Sequence, residues 1–298
     1  MELRVLQYFL TVAREETITK AADALHITQP TLSRQLSQLE EELGVVLFSR
    51  GKRKITLTEE GILLQQRAKE ITELIEKTER ELTEQDSLIN GTITFGCGIF
   101  KSCEYFVQLI QSFRTVYPHV TFDFYTANAD VVEKRMEQGL TDIGLLMEPI
   151  DVELFNYIRM PEADRWVVFM RRDDPLAAKA NICVDDLIGP IPLAVPRRLK
   201  VQGELMNWFG NKINEMNIVF TNNFQMISMI MVKRHMCRSI SIEGAVPYLD
   251  NQLFCSRPLS PMLEQRSVLA WKRRQKFSIT TKKFIDFVQN CTANDKER

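Results

Sequence analysis

The chain has 298 residues, 45% of them hydrophobic, with 38 Lys and Arg against 39 Asp and Glu for a formal net charge of -1. This length exceeds one typical domain and predicts two or three compact units with real cores. A balanced charge excludes a globally basic nucleic-acid binder, so any basic surface must be local. Six cysteines at 97, 103, 183, 237, 255 and 291 form no CxxC pair, and His26, His119 and His235 are scattered. This is neither a disulfide framework nor a zinc spacing, so no metal or cofactor is expected. The opening residues carry no secretory pattern, and no apolar run approaches the roughly 20 residues that span a bilayer. A reducing cytoplasm is the expected compartment, with no membrane partner.

Leu3, Leu6, Phe9, Leu10 and Ala13 lie on one stripe of an opening helix. Thr17 can cap a second helix, in which Ile18, Ala21, Ala22 and Leu25 repeat at helical spacing. His26 and Ile27 break that pattern. Thr28 offers a second N-cap oxygen, and Pro30 falls in the following first turn, where a missing N–H costs little. Leu32, Leu36, Leu39 and Leu43 predict one buried stripe. The opposite face shows Gln29, Thr31, Ser33, Arg34, Gln35, Ser37 and Gln38, and no Asp or Glu occurs from His26 to Leu39. Amide, hydroxyl and guanidinium groups can read base edges and phosphates in a major groove, whereas a carboxylate there is repelled by phosphate. Two helices meeting at a tight corner fit a helix-turn-helix, against the plainer reading of a polar helical hairpin. Beyond Phe48, Arg50, Lys52, Arg53 and Lys54 cluster around Gly51 before Ile55-Thr56-Leu57, a β-hairpin wing whose cations suit the phosphate backbone or a minor groove.

Thr58 can cap a long helix with Glu59 and Glu60 in its first turn. From Ile62 to about Leu88 there is no Pro or Gly, which at 1.5 Å per residue makes about 40 Å of helix. Leu64, Ala68, Ile71, Ile75, Thr78 and Leu82 alternate spacings of four and three, a heptad seam that needs a partner. The alternative is a helix packed on its own domain.

After Asn90-Gly91 the period changes. Strand-like stretches at 92–95, 120–125 and 143–146 alternate with helical patterns at 102–117 and 130–139. A second series follows: strands at 165–170, 191–195, 218–220 and 239–242 with helices at 202–216 and 224–235. A strand at 267–271 and a helix at 277–288 close the chain. Such alternation predicts parallel sheets covered by helices. Ligands in such sheets lie beyond the strand carboxyl ends. The first candidates are therefore Gly98, Ile99, Phe100, Lys101, Ser102 and Cys103, where a Ser102 cap, free N–H groups and the lysine would welcome an anion such as a carboxylate.

The segment Leu3 to Gly61 resembles the DNA-binding domain of LysR-type transcriptional regulators. The matching residues are Leu6, Phe9, Val12, Thr19, Ala21, Ala22, Leu25, Gln29, Pro30, Ser33, Leu39, Glu40, Leu43, Gly44, Leu47, Phe48, Arg50, Leu57, Thr58 and Gly61. Less specific matches follow in Phe113, Tyr117-Pro118, Gln138 to Gly144, and Asp173-Asp174-Pro175-Leu176. The resemblance implies an α/β protein with an N-terminal, mainly α winged helix-turn-helix at 1–58, a linker helix at 59–89 and a two-lobed, periplasmic-binding-protein-like effector domain at 90–298. Lobe I would hold about 90–162 and 267–298, and lobe II about 163–266.

The resemblance also implies a sequence-specific regulator. Thr19, Thr28, Gln29, Pro30, Thr31, Ser33, Arg34 and Gln35 with the wing residues Arg50, Lys52, Arg53 and Lys54 would meet double-stranded DNA. Leu64, Ala68, Ile71, Ile75 and Leu82 would pair two copies, giving a dimer or tetramer. Pro196, Arg197 and Phe224, with Gln225 beside them, would face a small-molecule effector from lobe II, and RNA polymerase would be a further partner. The chain departs from the family at Cys237 to Gly244, where a glycine-rich step and then a proline are usual; here Pro247 comes later. Two readings compete with an effector-controlled regulator: a thiol-responsive one using Cys97 and Cys103, and a solute-binding module without regulation. No GxSxG, P-loop, HExxH or dinucleotide fingerprint supports an enzyme.

Overall fold

A computed structural model describes residues 1–50, 54–83, 89–197, 199–245 and 250–296. The chain divides into two compact units, Met1–Glu84 and Gln85–Arg298. Among the described residues, no helix is long and apolar enough to cross a membrane.

The first unit runs α1 (Leu3–Glu15), α2 (Ile18–Ala24), α3 (Gln29–Leu43), β1 (Phe48–Arg50), β2 (Ile55–Leu57) and α4 (Glu59–Thr83). Its core joins Val5, Leu6, Phe9 and Val12 of α1 to Ala21, Ala22, Leu32, Leu36, Leu39, Leu47, Phe48 and Ala68. Of the other predicted stripe residues, Leu10, Ile18 and Leu25 pack against it partly buried, whereas Leu3 is exposed and Leu43, in the last turn of α3, is 40% exposed. The Thr17 hydroxyl accepts from Lys20 N–H and caps α2. Thr28 holds the N-cap position of α3, but its hydroxyl pairs with the Thr31 hydroxyl at 2.8 Å rather than with a backbone N–H. Glu40 accepts the N–H groups of Leu47 at 2.7 Å and Phe48 at 3.2 Å, which ties α3 to the start of the hairpin. β1 and β2 pair antiparallel, as expected of a wing; its tip, with Gly51, Lys52 and Arg53, lies outside the described residues.

Thr58 caps α4 by accepting from Gly61 N–H at 3.0 Å. A Cβ on Gly61 would lie 2.2 Å from the Leu47 carbonyl oxygen, so only glycine lets this helix start against the hairpin. The heptad seam is divided. Ala68 is buried in the unit's own core with Leu64 packed beside it, and Ile75 is half-buried. Ile71 at 37% and Leu82 at 81% remain exposed, as does Leu74, outside the predicted seam, at 41%.

The second unit contains β3 (Gly91–Cys97), α5 (Cys103–Val116), β4 (Val120–Thr126), α6 (Ala129–Glu137), β5 (Ile143–Met147), β6 (Phe155–Arg171), β7 (Ile182–Cys183), β8 (Leu193–Pro196), α7 (Leu199–Phe209), β9 (Ile218–Asn222), α8 (Gln225–Lys233), β10 (Arg238–Ile242), β11 (Phe254–Ser260), β12 (Glu264–Lys272) and α9 (Ile279–Lys296). Strand order is β4-β3-β5-β12-β6-β10-β8-β9. The expectation of purely parallel sheets is corrected: β4, β3 and β5 run parallel, as do β10, β8 and β9, but β12 and β6 are antiparallel to their neighbours. β6 belongs to both lobes. Phe155 to Arg165 pairs with β12, and Trp166 to Arg171 pairs with β10 and β11.

Each lobe has its own core. In lobe I, Phe95, Phe106, Phe113 and Phe284 interlock, with the Phe113 and Phe284 ring centroids 5.0 Å apart and edge-on. In lobe II, Trp166, Val168 and Met170 of β6 meet Leu193, Val195, Leu205, Phe209 and Ile240. Two family-like motifs turn out to be fixed within the fold. Asp142 accepts from the Thr94 N–H at 2.8 Å and hydroxyl at 2.6 Å. Asp174 forms a two-pronged pair with the buried cation Arg238, at 2.8 and 2.9 Å, inside the segment that departs from the family.

Candidate functional site

Two sites come from the two units. In the first, α3 turns its leucines inward and leaves Gln29, Pro30, Thr31, Arg34, Ser37 and Gln38 exposed, with Ser33 and Gln35 half-exposed. Arg34 makes no side-chain hydrogen bond or ion pair among the described residues, so its guanidinium is available to a partner. Thr19 is exposed on α2, and Thr28 stands at the head of α3. The corner is made by His26 in the left-handed region, with φ at 53°. Of the wing cations, Lys54 is engaged by the carboxylate of Glu16, which holds the Glu16 carboxyl below its usual range. The Ile55 N–H meanwhile donates to the Glu16 carbonyl at 2.9 Å, fixing β2 against the end of α1. Arg50 lies at the end of β1.

In the second unit a cleft of about 240 Å³ lies between the lobes. It sits where the parallel strands end: after β3 at Gly98, after β4 at Ala127, at Met147 of β5, after β8 at Arg197, after β9 at Asn223 and at Ile242 of β10. Gly98, Ile99, Phe100, Pro196, Arg197, Phe224 and Gln225 line it, where sequence placed them. The walls that sequence missed are Ala127, Asn128 and Ala129, Met147, Trp166, Asn222, Asn223, Met226, Met229, Ser241, Ile242 and Ala245. Most follow from the strand-end rule, once each strand's last residue is known. Trp166 had no such signal, because it lies inside β6.

The surface is apolar and sulfur-rich, with Arg197 as the charged side chain among its described lining residues. Several amides are already committed. Asn128 caps α6 by accepting from Val131 N–H at 3.0 Å, Asn222 donates to the Ser228 hydroxyl at 2.6 Å, and Gln225 donates to the Ser239 hydroxyl at 2.9 Å. The buried indole N–H of Trp166 has no partner among the described residues.

Lys101, Ser102 and Cys103 do not line this cleft, contrary to expectation. Ser102 is buried at the N-cap position with a helical backbone; its hydroxyl pairs with that of Ser267 and caps nothing. The Lys101 N–H donates to the carboxylate of Asp164 at 3.1 Å. The anion expected at the head of α5 is therefore the protein's own. Cys103 accepts from the Phe100 N–H at 3.3 Å and lies 3.6 Å from the Gly98 carbonyl oxygen. Burial raises the thiols of Cys97 and Cys103 above their usual range, which lowers the thiolate fraction and argues against thiol sensing.

Comparison with known proteins decides the family. Residues 3–62 match the description "Bacterial regulatory helix-turn-helix protein, lysR family", and residues 86–292 match "LysR substrate binding domain". The chain belongs to the LysR family. Among similar proteins, the transcriptional regulator BsdA of Bacillus subtilis is 44% identical over 146 residues, which is 49% of this chain and 50% of BsdA. YtlI of the same organism is 29% identical over 222 residues, 73% of this chain and 71% of YtlI. The chain thus spans about half the length of BsdA and somewhat more of YtlI. The LysR family regulator CbnR has the same fold, with a TM-score of 0.76 at 18% identity over 97% of this chain and 99% of CbnR.

The raised thiols give a direct test. Alkylation with iodoacetamide at pH 7.5, read by mass spectrometry, should modify exposed Cys183 first, with Cys97 and Cys103 slower than free cysteine. Faster labelling at Cys97 or Cys103 would restore the thiol reading.

Proposed function

We propose that this LysR-family chain is a sequence-specific DNA-binding transcription regulator that works as a homo-oligomer and answers to a small molecule held between the lobes of its second unit. One observation carries the reading: the exposed face of the first part of α3, from Gln29 to Gln38, presents Gln29, Thr31, Ser33, Arg34 and Gln35 without a carboxylate, and Arg34 is unengaged among the described residues. Arg is suited to the paired acceptors of guanine and Gln to adenine in the major groove. Thr19, Thr28 and Pro30 lie on the same motif, and Arg50, Lys52, Arg53 and Lys54 supply phosphate contacts, Lys54 after exchanging its bond to Glu16 for one to phosphate. The apolar residues left exposed on α4 support pairing of two copies. RNA polymerase is the further partner that transcription control requires. Nothing in the arrangement of either site supports catalysis.

The effector enters the cleft as an apolar body carrying one anionic group that Arg197 meets. This moves the expected carboxylate contact away from Lys101 and Ser102, whose surroundings already hold Asp164 and Ser267.

Arg34→Ala should keep salt-dependent affinity for duplex DNA while losing operator preference by about 1–3 kcal/mol, measured by titration against operator and random duplexes. Equal discrimination by mutant and parent would remove the recognition-helix assignment. Glu at Ile71 and Ile75 together should shift sedimentation toward the monomer, and unchanged sedimentation would remove α4 from the interface. A thermal-shift screen with apolar carboxylates at about 100 times Kd should stabilise the fold by roughly 2.7 kcal/mol. That shift should fall in Arg197→Ala and persist in Ser102→Ala; the reverse pattern would return the site to the head of α5.

A further inference from the structure

β6 crosses from lobe I to lobe II beside Asp164, which pairs with Gln265 of β12; two residues later Trp166 pairs with Ile242 of β10. The Asp164 side chain is buried, the residue being 1% exposed. Its Oδ2 accepts from the Lys101 N–H at 3.1 Å, and its Oδ1 accepts from the Gly244 N–H at 2.7 Å and lies 3.3 Å from the Lys101 nitrogen. Lys101 directly follows the lobe I wall residues Gly98, Ile99 and Phe100. Gly244 sits in a short 3-10 turn of lobe II, Glu243–Ala245, between the wall residues Ile242 and Ala245. One carboxylate therefore holds the backbones of both walls.

The approach is tight. A Cβ on residue 244 would lie 2.0 Å from the Lys101 nitrogen, 2.5 Å from Asp164 Oδ1 and 2.5 Å from the Phe100 carbonyl carbon. At the rim, Arg165 donates to the Glu243 carboxylate at 2.9 and 3.2 Å, which ties β6 to the 243–245 turn beside the Asp164–Gly244 bond. Losing one of the two N–H bonds would leave a buried carboxylate under-satisfied and an orphaned N–H beside it, and each is costly in a dry setting. The geometry therefore favours both bonds or neither.

We propose that Asp164 is the positioning residue that makes the two cleft walls open and close as one event. This rests on the cleft being the effector's seat and goes beyond it: it names the two-state element that a ligand must bias for binding to become a signal. A ligand touching Phe100 then acts on Ile242 and Ala245 through a single carboxylate, even where it touches lobe II weakly.

The test is amide hydrogen exchange by mass spectrometry on the full chain, with no ligand or DNA, so its outcome is independent of the regulator reading. Peptides covering residues 99–104 and 240–245 report the walls, and those covering 106–113 and 167–170 report the cores. Asp164→Asn and Gly244→Ala should each accelerate exchange in both wall peptides by about tenfold or more and leave the cores protected. The double variant should exchange no faster than the faster single one, because both changes open the same latch. Acceleration confined to one wall, multiplication in the double variant, or unchanged walls would overturn the proposal. Should Asp164→Asn lose core protection, Gly244→Ala alone must still loosen both walls, or the proposal fails.

Discussion

Two small parallel sheets can share one ligand only if their strand carboxyl ends face each other, and β6 with β12 imposes that arrangement. Each lobe's parallel strands, β4-β3-β5 and β10-β8-β9, need a further neighbour, and each finds an antiparallel one in the crossing pair. The crossing strand is also core to both lobes. Phe155 and Met160 are buried in lobe I, and Trp166, Val168 and Met170 in lobe II. The lobes thus cannot separate by simple drift, because the connection runs through the hydrophobic interior of each. Relative motion must occur where the packing changes hands, between Met160 and Trp166, and this is where Asp164 lies.

The first unit solves a different problem. It must present a polar face while burying enough apolar surface to hold a short three-helix motif. It does so by sending almost every apolar residue of α1 to α3 inward, so that the outer face of α3 holds what is left. Two of its acids serve the structure. Glu40 holds the N–H groups of Leu47 and Phe48, and Glu16 pairs with Lys54. The acid-free run seen in the sequence ends at Glu40, the carboxylate that holds the turn following α3.

Local signals were legible and remote ones were not. Thr17, Pro30, Thr58 and the leucine spacing of α3 act within a turn or two of helix, and the structure has helices where they predict them. The two substantial strands that sequence did not reveal, the first half of β6 and all of β11, contain Pro161 and Pro258, and a proline inside an apolar run argues against a strand. The first is tolerated because the β6–β12 ladder shifts register there, between Arg266 and Val268, so no ladder bond is demanded of Pro161. The cleft followed the same rule. Gly98 to Phe100 line the cleft because they lie just past the end of β3, while Pro196, Arg197 and Phe224 were placed by the family resemblance and line it too. Lys101 and Ser102 were misplaced because their partners, Asp164 and Ser267, are distant in sequence, and no periodicity encodes a contact made by folding alone.

The occupancy of the α5 head by Asp164 changes what kind of ligand can matter. Backbone N–H groups at a helix start attract any anion, and a site built on them would discriminate little among small acids. With the Lys101 N–H already satisfied from within, the described walls of the cleft are mostly apolar with Arg197 as their charged side chain, so shape and apolar area would carry most of the selectivity toward a ligand. Such a surface has a useful property for regulation. Ile99 and Phe100 line it from one lobe and Phe224, Met226 and Ile242 from the other. A ligand touching both walls would favour the arrangement of the lobes in which it makes more of those contacts, whereas one bound equally to two arrangements would shift nothing however tightly it held.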